Sequence, residues 1–179
     1  DIKAGNLNNA FDAIVLPDVE KEIISEGKPK REEGQMKYYE ELPPEYSGGI
    51  GKDGVKNLKD FVEKGGTLIA LASSSDFVID ELNIPVSNVL AKATQEQFNC
   101  PGSVLRIHVN PNHPVTYGLP NEIGAFVNGR IAFQTGLPGA ELSRSVLAWY
   151  PKDSEDILIS GWISGADRLE RRTAAVALT

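Results

Sequence analysis

Few residues in this chain are of a type that could do chemistry. Three consecutive serines, Ser73, Ser74 and Ser75, end the apolar run in GGTLIALASSSDF. A serine attacks a carbonyl only when a neighbouring base takes its proton. The chain holds two histidines, His108 and His113, and one cysteine, Cys100. His113, before Pro114 in a turn, is the base available to Ser73 or Ser74, although an imidazole there also serves nearby backbone groups. His108 lies in the alternating segment LRIHV and reads as a core or sheet-face residue. Cys100, in FNCPGS, has no basic neighbour to lower its pKa and reads as a small, half-buried side chain.

The serine run also has a structural reading. Ser and Asp accept hydrogen bonds from the exposed N–H groups that open a helix, and such a cap contributes about 1 kcal/mol. Ser75 or Asp76 is placed to cap a helix over 77–82, and the same N–H groups can hold an anion. Gly48 and Gly49, in GGIG, are with Ser75 the ligand-binding candidates. That glycine run lacks the Lys-Ser/Thr of a phosphate loop and the spacing of a dinucleotide fingerprint. The two histidines do not form a zinc-binding pair such as H-E-x-x-H, so no metal site is expected in this chain.

These residues need elements to position them. FDAIVL, 11–16, reads as a buried strand ended by Pro17-Asp18, with a short helix over 19–25. Residues 27–49, rich in charge, Gly and Pro, read as a long surface excursion. In the segment 53–64, Val55, Leu58, Phe61 and Val62 recur at helical spacing, Asp53 is a candidate cap and Gly65-Gly66 is a stop. A strand over 67–72 follows at once, an αβ unit of the kind that builds doubly wound sheets. The second half is β-rich, with strands expected over 104–109, 124–127, 130–133, 145–149 and 157–162 and in the final TAAVALT. The expected architecture is α/β, a flavodoxin-like three-layer sandwich with a mostly parallel sheet and a β-rich extension in the second half.

The chain has 179 residues and a formal net charge of −7. That length favours one domain over 1–179. An acidic surface disfavours nucleic acid and anionic membranes as partners. No apolar run approaches the ~20 residues needed to span a bilayer. One cysteine excludes an intrachain disulfide. Little structure precedes the first strand and the last strand runs to the end, which suggests a fragment of a larger multidomain protein.

The order of EYSGGIG, FVEKGGTLIAL, SSSDF, FNCPGSVLRIHV and NHPVTYGLP resembles the class I glutamine amidotransferase-like domain attached to secreted zinc carboxypeptidases of the carboxypeptidase A-like class. HPVTYGLP also resembles segments of trehalose-utilisation-type domains and β-galactosidase middle domains. The resemblance implies a reactive cysteine on a tight turn after the strand over 67–72, where this chain has Ala72-Ser73-Ser74-Ser75-Asp76. It implies an accessory, non-catalytic domain of an exported zinc metallopeptidase, located in the periplasm or outside the cell. Zinc is then expected only in the parent peptidase domain, and the expected partners are that domain and a possible second copy of the chain. The competing readings are a serine hydrolase using Ser73 or Ser74 with His113, and a carbohydrate-enzyme-associated binding or oligomerisation module.

Overall fold

Residues 1–29, 43, 47–136 and 142–179 are described by the computed structural model. They fall into two units, Asp1–Ile84 and Pro85–Thr179. Most of the surface excursion expected over 27–49 lies outside the described residues.

In the first unit, strands β1 (Ala13–Leu16) and β2 (Thr67–Ala70) pair in parallel, Ala13 opposite Thr67 and Leu16 opposite Ala70. The chain between them includes α1 (Lys21–Glu26) and α2 (Gly51–Glu63). The spacing of Val55, Leu58 and Phe61 gives α2 one apolar face, on which Leu58 and Phe61 are buried. Val62 falls at the rim of that face and is 36% exposed. The helix starts before Asp53, which sits in its first turn and favours the positive end of the helix dipole instead of capping it. Gly65, at φ 90°, turns the chain out of the helix. A Cβ on Gly66 would stand 2.4 Å from the Phe61 ring, so that glycine leaves room for the core.

After β2 the chain enters α3 (Ser74–Leu82). Leu7, Leu16, Leu58, Phe61 and Phe77 form the buried cluster of this unit, with Ile14, Leu68 and Val78 packed against it. Lys21 Nζ donates to Asp80 Oδ2 at 2.6 Å and joins α1 to α3. The hydrogen bond to the Asp80 carboxylate holds the Lys21 ammonium above its ordinary pKa. Both side chains are about half exposed, so this pair contributes at most about 1 kcal/mol.

The second unit is a seven-stranded sheet. Its strands are β3 (Val86–Asn88), β4 (Pro101–Val109), β5 (Glu122–Asn128), β6 (Phe133–Thr135), β7 (Arg144–Trp149), β8 (Leu158–Ser160) and β9 (Thr173–Leu178). They run in the order β3-β6-β9-β7-β4-β5, with β8 also paired to β4. Along β4, Ser103, Leu105, Ile107 and Val109 are buried, while Val104, Arg106 and His108 alternate onto the open face. Leu90, Phe98, Cys100, Leu105, Tyr150, Ile157 and Leu169 centre the core.

The flavodoxin-like sandwich with a mostly parallel sheet is therefore corrected. Every pairing in the large sheet is antiparallel, and among the described residues parallel pairing is confined to β1 and β2. The physical reason is visible in the residues. One αβ unit does produce a parallel pair, but the second half alternates in period two between turn-rich connections. Alternation with one open face is the mark of antiparallel strands. Between β7 and β8 the chain makes a 3₁₀ turn, Ser154–Asp156.

Candidate functional site

The turn from β2 into α3 is the site that the serines single out. Ala72 has φ 46°, in the left-handed region that costs an L-residue about 1–2 kcal/mol. A reactive elbow stores its strain in the same kind of strand-to-helix turn. Here the side chain carried by the strained residue is a methyl group.

The serines after it serve the main chain. Ser74 is fully buried. Its Oγ lies 2.8 Å from the Leu71 carbonyl and 3.1 Å from the Leu16 carbonyl, to which it donates, and it accepts the Leu71 N–H at 2.9 Å. It therefore ties the end of β1 to the turn after β2. The N–H groups of Ser74, Ser75 and Asp76 donate to the carbonyls of Leu71, Ala72 and Ser73. Ser73 N–H donates to Asp18 Oδ1 at 3.0 Å. The Ser73 N–H at this helix start is thus capped by the residue after Pro17, at the end of the neighbouring strand. Asp18 also places a carboxylate at the positive end of α3, where an anion would otherwise bind.

Sequence reasoning missed Asp18 and Ala72. Asp18 had a signal: β1 and β2 are parallel neighbours, so the acid that follows one strand must lie beside the turn that follows the other. Ala72 had none, because nothing in its residue type marks a positive φ.

Gly48 and Gly49 lie against the end of α1. A Cβ on Gly49 would stand 2.1 Å from the Ser25 carbonyl carbon, and one on Gly27 would stand 2.3 Å from Gly48. Ile50 N–H donates to Ile24 O at 2.8 Å. Two backbones pass within contact distance here, and glycine is the residue that permits it. The geometry of this run is that of a packed junction between α1 and the start of α2.

His113 belongs to the second unit, whereas Ser73, Ser74 and Ser75 belong to the first. It precedes a 3₁₀ turn, Pro114–Thr116, and its Nδ1 accepts the Val115 N–H at 3.2 Å. Accepting at Nδ1 leaves the proton of the neutral ring on Nε2, so the outer nitrogen is a donor in that tautomer. Pro111, Asn112, Pro114 and Tyr117 surround it in an open surface hollow. His108 takes its place on the sheet face, its ring 6.0 Å from that of Trp149. Cys100 is buried, more fully than its sequence context suggests. Burial raises the pKa of its thiol, which keeps it protonated and unreactive. Burial likewise pushes the Tyr150 hydroxyl up to about 12.

Among the described residues no group of three or more His, Cys, Asp or Glu side chains could hold a metal ion. No described helix is long and apolar enough to cross a membrane. Compared with protein-family models, with curated proteins and with solved structures, the chain finds no match in any of the three.

Proposed function

We propose that this chain is an accessory, non-catalytic domain of an exported zinc carboxypeptidase, where it positions the peptidase domain, its substrate or a partner subunit. The parent and its location outside the cytoplasm rest on the resemblance of EYSGGIG, FVEKGGTLIAL, FNCPGSVLRIHV and NHPVTYGLP to the amidotransferase-like domains of such enzymes. That resemblance now stands on the order of its motifs, since the sheet it implied is not the one found. The zinc ligands belong to the parent domain in this reading.

The observation that carries the non-catalytic part is Ala72. The strained residue of the turn, the one an elbow uses to present a nucleophile, has no heteroatom. The next buried hydroxyl, that of Ser74, is already hydrogen-bonded to the main chain on both sides of the turn. The test is the parent reading frame, followed by deletion of residues 1–179 from its product. We expect an adjoining zinc-peptidase domain whose kcat on a small blocked dipeptide survives the deletion while its KM for long substrates or its subunit association changes. A frame without such a domain contradicts the reading, and so does loss of kcat on the small substrate from a deletion product that still folds and binds zinc.

A further inference from the structure

The two ends of the large sheet differ in how they are finished. At one end, β3 is three residues long and follows Pro85. Short strands and adjoining prolines are devices that blunt an edge against pairing. At the other end, β5 runs over seven residues, EIGAFVN, with no proline and no Lys or Arg. Its only strand partner among the described residues is β4.

The backbone of β5 shows which groups that edge presents. Asn121 C=O accepts from Val109 N–H and Gly129 N–H donates to Cys100 C=O, so odd-numbered residues bond toward β4. Alternation then turns the N–H and C=O of Glu122, Gly124, Phe126 and Asn128 outward. The same four residues carry their side chains on the open face, opposite His108, Arg106, Val104 and Pro101. Phe126 is 74% exposed there.

We propose that β5 is a self-pairing edge, and that two copies of this chain join through antiparallel β5 strands into one continuous sheet. A two-fold axis at Ala125 is the register that pairs all four outward residues. It sets Glu122 against Asn128 of the second copy, and Phe126 against its Gly124. Each hydrogen-bonded pair exchanges two bonds, for about eight across the junction. The cross-strand neighbours are compatible as well: a carboxylate meets an amide that can donate to it, and the large ring meets the residue without a side chain. A two-fold interface demands such self-complementarity. Other registers leave outward groups unpaired. This inference does not depend on which protein the chain is attached to.

Sedimentation equilibrium of the 179-residue chain tests it, beside two variants. Phe126→Pro removes an outward N–H that bonds nothing in β4, and Phe126→Lys keeps the backbone but brings two like charges near the axis. The chain is expected to dimerise at micromolar concentration, and each variant to weaken the dimer at least about tenfold with circular dichroism unchanged. A Glu122→Cys, Asn128→Cys double variant is expected to oxidise to a covalent dimer, since paired Cα atoms would lie about 5.5 Å apart. Cys100, being buried, does not compete. A monomer at all concentrations overturns the proposal. So does a dimer that keeps its affinity in both Phe126 variants, or one whose paired cysteines stay reduced under oxidation, because its interface then lies elsewhere or in another register.

Discussion

Replacing Phe77 by alanine lowers the stability of the first unit by about 3–5 kcal/mol. Phe77 is fully buried and packs with Leu7, Leu16, Leu58 and Phe61. Among the described residues those five make up the buried apolar cluster of the unit. Removing a phenyl ring from so small a cluster forfeits its transfer free energy and leaves a cavity that a parallel strand pair and two helices can close only in part. Small domains have only about 5–15 kcal/mol of stability in all, so the loss is a large share of it. Native-state hydrogen exchange reads the effect locally. Protection of the amides in α2 and β2 is expected to fall by at least a hundredfold. The amides of β4 and β7, whose core shares no residue with this cluster, keep theirs. Equal loss in both units would mean that the two cores unfold as one.

Ser74→Ala has the second largest expected effect, a destabilisation of about 1–3 kcal/mol. The hydroxyl is buried and links Leu16 of β1 to Leu71 after β2. Alanine removes one acceptor and one donor at once, so the Leu71 and Leu16 carbonyls keep only their main-chain partners, the N–H groups of Ser74 and Leu71. Leu71 N–H retains a bond to Leu16 C=O at 3.1 Å, which limits the loss. Ser73→Ala, by contrast, is expected to change stability by less than about 0.5 kcal/mol, because Asp18 bonds the Ser73 main chain and not its hydroxyl. Urea denaturation of the two variants checks the difference. Equal effects would contradict the role given to Ser74.

How much of this was legible beforehand depends on the range of the interaction. The helix expected over 53–64 and found at Gly51–Glu63 was legible because its apolar spacing and the Gly65-Gly66 stop are local. β4 was legible because LRIHV alternates, and alternation is local too. The type of sheet was not. The αβ unit that ends in β2 suggested a mostly parallel sheet with a β-rich extension, whereas the antiparallel plan depends on pairings between distant segments such as β7 with β9. The strands β3 and β6 are three residues each, too short to show a period, whereas β8, equally short, falls within the strand expected over 157–162.

The site divides in the same way. The polar turn after β2 announced itself by its serines, but which serine is buried, and which residue bears the strain, depends on how β1 lies beside β2. Gly48 and Gly49 looked like a ligand loop because glycine runs line such loops. In the structure they mark where two backbones cross, which the same residues permit equally well.

The central claim is that the turn at Ala72 presents no nucleophile. A serine-directed fluorophosphonate, with its adduct mapped by mass spectrometry, tests it most directly. The account predicts no adduct on Ser73, Ser74 or Ser75 of the folded chain beyond the level found after denaturation. Stoichiometric labelling of Ser73 or Ser74 that is lost on unfolding would contradict it.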